Sequence, residues 1–326
     1  MEAFIVLKRG SFTSVQDRGR FDYLDRGVPL SGAVDAFAYR IANLLIGNAP
    51  GAAVLEITML GPVLEMLSDT DIALTGADMG MTLNGEPVPG WQSLRVKRGD
   101  VIRTPMAKRG CRAYLAVTGG IDVPVVMGSR STCSRAKLGG YDGRILKEKD
   151  RLRRVEGSLL SNHRRLPEKW IPAYPEEITL RAIPGPQDDA FRHGLDTFFS
   201  TVYEVTIEAD RMGYRLKGPV IHHDEGLPES IISEAITPGN VQLPADGQPI
   251  ILLVEQTTGG YTKIATVIST DIPRVVQAIP QTRIRFDRVT LDEAHRLCRH
   301  QAQTMREIEA YLKNDTRGRM CRKTKS

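Results

Sequence analysis

The sequence lacks the features that mark membrane, secreted and nucleic-acid-binding proteins. In its 326 residues no apolar run approaches the roughly eighteen residues that a membrane-spanning helix needs. The opening stretch MEAFIVLKRG begins with an acidic residue and a short apolar run, which is not typical of a signal peptide. No helix-turn-helix, zinc finger or aromatic-interleaved basic stretch is present. We therefore expect a cytoplasmic protein without a nucleic-acid or membrane partner.

Closely spaced metal ligands and cysteine pairs are also missing. The four cysteines, Cys111, Cys133, Cys298 and Cys321, form no CxxC pair and are predicted to be reduced thiols. The HHDE run at 222–225 could suggest a metal site, but neighbouring residues on a strand point to opposite faces. A solvated loop is the better interpretation, and no metal is predicted.

Basic residues are present in excess, with a formal charge of +5 and a pI near 9.0. Much of the excess lies in Lys147–Arg165 and in the last ten residues, RGRMCRKTKS. We interpret the first as part of a solvated linker, Arg151–Pro175, with a domain boundary near Lys169. The second has the composition of a disordered tail.

The pattern of apolar residues predicts a mainly β protein. A strand is expected at Ala3–Leu7, and a helix at Ala33–Ile46 with Ser31 as its N-cap and Gly47-Asn48 as its C-cap. From residue 53, short alternating strands follow at intervals of about ten residues, as in a barrel or sandwich. Glu56 lies within one apolar strand, where it is either paired, part of a site, or facing solvent.

The second half of the chain echoes the first. ADMGMTLNGEPV, residues 77–88, aligns with ADRMGYRLKGPV, residues 209–220, and GCRAYLAVTGGI aligns with GQPIILLVEQTTGGY. This predicts a duplicated β domain. We expect domains at 1–168 and 169–290, followed by a C-terminal helix over Thr290–Leu312 and a basic tail within 291–326.

Three glycine-bearing polar clusters are candidate anion sites. Guanidinium groups, hydroxyls and glycine-freed N–H groups bind carboxylate or phosphate, although each cluster could instead be a charged surface turn or loop. No GxxxxGK[ST] phosphate loop is present. The candidate residues are Gln16, Asp17, Arg18, Arg20, Ser31, Gly32 and Asp35 in the first cluster, Ser129, Arg130, Ser131 and Arg144 in the second, and Asp210, Arg211, Gln242, Gln256, Thr257, Thr258, Gly259, Gly260 and Tyr261 in the third.

Taken together, the motifs resemble a known family. QDRGR, GVPLSGAVD, ANLLIGN, LEITMLGP, AYLAVTGGID, GSRST, GGYDGR, DRMGYRL and DGQPIILLVEQTTGGY, in this order over Val6–Ala294, resemble the allophanate hydrolase subunit 2, or KipA-like, biotin-dependent carboxyltransferase family. The resemblance implies tandem cyclophilin-like β-barrel domains plus a C-terminal helix. It also implies a role as the C subunit of an ATP-dependent 5-oxoprolinase, a hydrolase that opens a lactam. The implied partners are a KipI-like B subunit, with which it forms a hetero-oligomer, together with the A subunit of the same enzyme.

That chemistry suggests roles for the candidate residues. ATP, bound by the complex, would phosphorylate the lactam oxygen of 5-oxoproline. Arginines 18, 20, 130 and 211 would bind anions, the hydroxyls and amides would orient the substrate, and Asp17, Asp35 or Asp210 would act as general base. Among the candidates, Asp17, Arg20, Asp35, Asp210 and Arg211 are the predicted catalytic residues. Loops of both halves are expected to share one pocket.

Two other functions remain open, and the sequence departs from the family at three places. A carboxyltransferase acting on urea or a related amide would need a separate biotin carrier, since Met106-Ala107-Lys108 is not a biotinylation site. A non-catalytic regulator would bind a KipI-like kinase inhibitor. Val254-Glu255 replaces a polar pair before QTTGGY, and Lys149 and Gln281 replace turn glycines, which we expect to distort or re-route those loops.

Overall fold

The chain folds into two compact units, neither of which is one continuous segment. The computed structural model describes residues 1–227 and 229–318, with side chains as far as Lys313. Unit 1 comprises Met1–Arg20, Asp35–Ala173 and the chain from Gln303 onward, and unit 2 comprises Phe21–Val34 and Tyr174–Ala302. The predicted basic tail falls outside the described residues from position 319, as does Cys321.

Unit 1 contains two β-sheets. The seven-stranded sheet has the order β11-β12-β1-β4-β9-β6-β7, and the five-stranded sheet has the order β2-β3-β10-β5-β8. The strands are β1 Glu2–Lys8, β2 Phe12–Gln16, β3 Val54–Thr58, β4 Val63–Met66, β5 Thr70–Asp78, β6 Thr82–Leu83, β7 Glu86–Pro87, β8 Ser93–Val96, β9 Val101–Arg103, β10 Arg109–Val117, β11 Ile121–Asp122 and β12 Arg151–Arg154.

The central strands of the five-stranded sheet are covered on both faces. Nearly every residue of β5 and β10 is buried, as expected for strands with a layer on each side. One layer is helix α1, Ala36–Leu45, whose Ala38 carbonyl accepts a hydrogen bond of 2.7 Å from Thr75 Oγ1. The helix ends one residue earlier than predicted, with Ile46 rather than Gly47-Asn48 as its C-cap, and the next residue, Gly47 at φ 75°, donates to the Leu44 carbonyl.

Unit 2 contains a closed barrel with the strand order β13-β20-β17-β18-β15-β14-β21. The parallel pairing of β13 with β21 closes it, and an aromatic cluster that includes Phe198 stacked on Phe286 at 4.3 Å fills its core. Strands β16 and β19 form a separate two-stranded sheet. The strands are β13 Glu177–Pro184, β14 Val202–Ala209, β15 Gly213–Lys217, β16 Ser230–Ala235, β17 Asn240–Gln242, β18 Ile250–Leu252, β19 Thr258–Tyr261, β20 Lys263–Val267 and β21 Arg283–Arg288.

The remaining helices are α2 Arg192–Ser200, α3 Ile272–Gln277 and α4 Leu291–Gly318, with short 3₁₀ turns at Leu24–Arg26, Glu168–Trp170, Asp188–Phe191 and Ser269–Asp271. Helix α4 is amphipathic and buries Met305, Ile308 and Leu312, so the predicted C-terminal helix is confirmed and extends beyond Leu312. No helix in the described part of the chain is long and apolar enough to cross a membrane.

The mainly β fold is confirmed, but the echoing segments do not occupy equivalent places. In unit 2 the segment 209–220 belongs to the antiparallel pair β14–β15. In unit 1 the matching segment 77–88 connects β5 of one sheet with β6 of the other. The strands of unit 1 thus lie in two sheets, whereas those of unit 2, apart from β16 and β19, close into one barrel.

The expected linker Arg151–Pro175 is partly built into the fold. Arg151–Arg154 forms β12, which pairs with β1. Arg154 is only 4% exposed, donates to the Thr118 and Asp69 carbonyls, and has its pKa lowered by burial. The interpretation of this stretch as solvated is therefore wrong at Arg154, whose charge is met by backbone carbonyls distant in sequence, whereas residues 155–159 are exposed as expected.

The two replaced turn glycines keep a glycine-like backbone. Lys149 has φ 69° and Gln281 has φ 75°, both in the left-handed region. The backbone at both positions thus has a conformation that glycine adopts readily, and the distortion or re-routing of these loops stays a prediction. The turns are held by backbone hydrogen bonds from the Lys149 N–H to the Val6 carbonyl and from the Gln281 N–H to the Val205 carbonyl, each 2.8 Å long, which offset the conformational cost.

Candidate functional site

The first cluster forms around the carboxylate of Asp17, directly after β2. Its Oδ1 accepts hydrogen bonds from Ser129 Oγ and Ser131 Oγ, each 2.6 Å long, and from the Gly19 N–H at 2.9 Å. Its Oδ2 accepts from the Arg130 N–H at 2.6 Å. One carboxylate therefore joins the QDRGR and GSRST loops. Among the described residues Oδ2 accepts only this one hydrogen bond, so it keeps a lone pair of the kind that a general base needs.

Arg20 reinforces the same junction from inside. Its side chain is completely buried and donates from Nε to the Val126 carbonyl at 3.0 Å and from Nη2 to the Ser131 carbonyl at 2.9 Å. Burial lowers the pKa of the guanidinium, although Asp17 opposes that shift. These contacts give Arg20 a structural role, since its bonded nitrogens fix the backbone at Ser131 in the GSRST loop and at Val126 just before it.

Gln16 and the remaining arginines of the first two clusters differ in how accessible their side chains are. Gln16 is fully buried and donates to Ser14 Oγ and to the Thr132 carbonyl. Arg144 grips Asp150 with two hydrogen bonds of 2.7 and 2.9 Å. Arg130 is half-buried and uses Nε to bind the Val123 carbonyl. Arg18 is exposed, and of these side chains it is the one most open to an anionic ligand.

Asp35 immediately precedes helix α1 and is the first residue of a series of buried hydrogen bonds. Its Oδ1 accepts a hydrogen bond from the Ala38 N–H at 2.9 Å, so Asp35 is the N-cap and the prediction of Ser31 in that place is wrong. The Asp35 N–H donates to the Tyr114 hydroxyl, which in turn donates to Glu56 Oε2 at 2.9 Å. Burial, with Glu56 and Asp35 nearby, raises the pKa of Tyr114 well above its ordinary value. Glu56 is thus paired and buried, and Tyr114 is a partner that the sequence did not indicate.

The third cluster lies in unit 2 and centres on a buried ion pair. Arg211 Nε donates to Glu255 Oε1 at 2.5 Å, and both side chains are only 5% exposed. Arg211 Nη2 donates to the Gly32 carbonyl at 2.7 Å, and the Ser31 N–H donates to the Val254 carbonyl at 3.1 Å. The departure Val254-Glu255 therefore supplies one direct partner of the Ser31-Gly32 turn, the Val254 carbonyl, and the carboxylate that pairs with Arg211, the other partner.

Two features of Ser31 at this turn cost conformational or hydrogen-bonding free energy. Its φ of 52° lies in the left-handed region, which non-glycine residues adopt at a cost of about 1–2 kcal/mol. Its hydroxyl oxygen is buried and has no hydrogen-bond partner among the described residues. The clamp by Arg211 and Val254 is what maintains this conformation.

The QTTGGY segment forms strand β19 and packs against Gln242. Gln242 is 5% exposed and donates from Nε2 to the Tyr261 carbonyl at 3.3 Å. A Cβ on Gly259 would overlap this amide, so glycine is required there for close approach. The Thr257 carbonyl accepts from the Ile236 N–H.

A groove of about 400 Å³ adjoins Gln256 on unit 2. Ile207, Ile250 and Leu252 supply apolar wall, and Asp210 also lines the groove. Asp210 Oδ1 accepts from the Met212 and Gly213 N–H groups at 2.6 and 3.2 Å, which fixes the DRMG turn. That loops of both units share a single pocket stays a prediction.

Metal ligands do not converge in the described residues: no three His, Cys, Asp or Glu side chains are grouped to hold an ion. In the HHDE loop, His223 Nε2 lies 2.7 Å from Thr262 Oγ1 and its ring packs on Phe191. Burial lowers the pKa of His223, which favours the neutral ring. Cys111, Cys133 and Cys298 are free thiols, as predicted.

Comparison with known proteins identifies the family. Residues 26–288 match the family described as carboxyltransferase domain, subdomain A and B. The chain belongs to this carboxyltransferase family. It is 36% identical to the C subunit of 5-oxoprolinase from Escherichia coli (strain K12) over 95% of this chain and 99% of that protein. It also superposes on the crystal structure of Kluyveromyces lactis urea carboxylase with a TM-score of 0.88 and 32% identity, covering 94% of this chain and 29% of the other.

In this member of the carboxyltransferase family, Gly139 allows the first and second clusters to meet. Its φ is 65°, and an added Cβ would collide with the Ser131 carbonyl and with Arg20 Nη2. We expect Gly139→Ala to lower the free energy of unfolding by about 2–5 kcal/mol, through backbone strain and overpacking together.

The matched control is Gly128→Ala. Gly128 has a similar φ of 77° but nothing within 4 Å of the added Cβ, so only the backbone strain of about 1–2 kcal/mol should appear. Urea denaturation of both variants separates the two costs. Equal losses of unfolding free energy in the two variants would show that the close approach of Gly139 to Ser131 and Arg20 is unimportant.

Proposed function

We propose that this protein is one component of an ATP-dependent 5-oxoprolinase and helps to activate 5-oxoproline for ring opening to L-glutamate. It would act in the cytoplasm with a KipI-like B subunit, together with the A subunit of the enzyme. The observation that carries the proposal is the alignment with the C subunit of a 5-oxoprolinase over nearly the full length of both chains. A second protein of that name, from Haemophilus influenzae, aligns over 94% of its length.

The chemistry assigns different tasks to the polar clusters of the two units. ATP supplies a phosphoryl group that converts the lactam oxygen into a leaving group. The exposed Arg18 and the terminal N–H groups of Arg130, which have no hydrogen-bond partner among the described residues, both lie beside Asp17 and fit the charge of phosphoryl oxygens. Asp17 positions these arginines through the loop backbone. In unit 2, Gln256 and the β19 backbone would orient the lactam.

A carboxyltransferase acting on urea is the second candidate, and the similarity to urea carboxylase favours it. This chain spans 29% of that protein, so the complete urea reaction would need activities beyond these 326 residues. Biotin would have to arrive on a separate carrier protein, since Met106-Ala107-Lys108 does not match a biotinylation site.

Reconstitution distinguishes the candidates. We expect the purified chain, mixed with the A and B subunits, to release glutamate only when both ATP and 5-oxoproline are present and none of the three chains is omitted. Arg18→Ala should lower kcat/KM by about tenfold or more through loss of a charge-assisted contact. The equally exposed Arg98→Ala should leave it unchanged. Urea-dependent ATP consumption that requires a biotin carrier, without glutamate release, would instead establish the second candidate.

A further inference from the structure

Lys263 is a buried cation next to the QTTGGY strand that the proposed chemistry does not use. It begins β20, its side chain is only 2% exposed, and its Nζ is ion-paired with Glu234 Oε1. A lysine is rarely buried so completely, because removing an ammonium from water costs several kcal/mol unless a carboxylate meets it. The site around Nζ is therefore built to receive a carboxylate.

Gln187 supplies a second donor to the same oxygen. Its Nε2 donates to Glu234 Oε1 at 3.2 Å, while its Oε1 accepts from the Lys263 N–H at 3.0 Å. The backbone bond from Gln187 to the Lys263 carbonyl, at 3.4 Å, fixes the residue further. Because Oε1 is held by an N–H donor, Nε2 must point towards the carboxylate. Lys263 and Gln187 thus form a two-donor cradle on the barrel.

The carboxylate now in this cradle comes from a weakly supported element. Glu234 lies on β16, which pairs only with β19 in a two-stranded sheet. Five of the six β16 residues are exposed, and Ile232 is 93% exposed. Two-stranded sheets are marginally stable alone. The Glu234 side chain itself remains 45% exposed, so solvent reaches one side of the pair.

We propose that Lys263 Nζ and Gln187 Nε2 form a binding site for the carboxylate of the substrate, and that Glu234 occupies this site until substrate replaces it. The proposal rests on the proposed function, since 5-oxoproline carries one carboxylate. Exchange of one carboxylate for another avoids an unpaired ammonium inside the protein. The lactam ring would then lie near β19, whose last residue, Tyr261, is two positions before Lys263.

If Glu234 competes with 5-oxoproline for the same two donors, removing the Glu234 carboxylate should strengthen binding of 5-oxoproline. A tethered carboxylate has a high effective concentration at the cradle. We expect Glu234→Gln to lower the Kd for L-5-oxoproline by about tenfold. Lys263→Met should raise it by about tenfold or more. Neither change should alter the Kd for 2-pyrrolidinone, the same lactam without a carboxylate, by more than about twofold.

The measurement is isothermal titration of both ligands into the assembled complex and into the chain alone. Glu204→Gln, which removes an exposed acid on β14, is the matched control and should change neither Kd. Because Lys263→Met could impair folding, each variant is first checked by its thermal unfolding transition. Glu234→Gln alone is sufficient to decide.

Each result has a definite meaning. Unchanged or weaker binding of 5-oxoproline by Glu234→Gln, or equal gains for both lactams, would overturn the carboxylate site, as would the absence of carboxylate binding by every form. Glutamate release without sensitivity to these variants would leave the proposed function standing alone. Carboxylate binding that follows Lys263 and Glu234, without glutamate release, would retain the site and reject the function.

Discussion

Replacement of Asp17 by alanine should destabilise unit 1 by about 3–5 kcal/mol and abolish activity of the assembled complex. The substitution removes the acceptor of four donors. They are the hydroxyls of Ser129 and Ser131 and the backbone N–H groups of Gly19 and Arg130. Each buried donor without a partner costs about 1–3 kcal/mol, although some of these groups will find new partners or water. The loss should be visible as a lower urea midpoint.

A control and a milder variant sharpen this expectation. Asp142 has a 74% exposed side chain, with Arg144 at 3.6 Å, so Asp142→Ala should change stability by less than about 0.5 kcal/mol. Asp17→Asn keeps the shape of the side chain but loses its charge and one acceptor oxygen. Its loss of stability should fall between those of Asp17→Ala and Asp142→Ala. Wild-type stability in Asp17→Ala would mean that the two loops are joined by other contacts.

Glu255→Ala should be almost as damaging in unit 2, at about 3–5 kcal/mol, because it leaves the Arg211 charge buried without its carboxylate. The double variant Arg211→Met/Glu255→Leu should recover much of the lost stability, since neither of these two buried positions then carries a charge. Recovery should be incomplete, because the hydrogen bond from Arg211 to the Gly32 carbonyl is also gone.

The chain offers a matched surface pair for comparison. Arg151 binds Glu2 through Nε and Nη2 at 2.8 Å each, but these side chains are 51% and 50% exposed. The pKa of Glu2 is lowered by the hydrogen bond from Arg151, yet solvent screens the pair. Glu2→Ala should leave the urea midpoint nearly unchanged. Similar losses in Glu2→Ala and Glu255→Ala would refute burial as the cause.

Local sequence patterns were sufficient for regular structure and insufficient for the fate of charged residues. Alternation and turn residues predicted β1, the strand-rich region and, to within one residue, the end of α1, since these depend on neighbours in sequence. Ser31 and Asp35 are both good caps, and what decides between them is Arg211, which holds the Ser31-Gly32 turn from a distant part of the chain.

The same limitation applies to the candidate site. Arginine next to glycine predicted an anion site at Arg20, whereas in the structure that side chain binds carbonyls more than one hundred residues away. Asp17 and the GSRST loop were each recognised, but their direct connection was not, because spacing cannot reveal a contact between positions 17 and 129. Lys263 gave no signal at all, since a lone lysine beside an apolar strand is usually at the surface.

The assignment of Phe21–Val34 to unit 2 has a consequence for synthesis of the protein on the ribosome. Gly32 emerges 179 positions before Arg211, the residue that secures it. Throughout that interval the segment, including the apolar Val34 that joins the barrel core, has no completed partner and is open to chaperones. Fragments cut at Ala173 would separate the segment from its barrel, so neither half should mature independently.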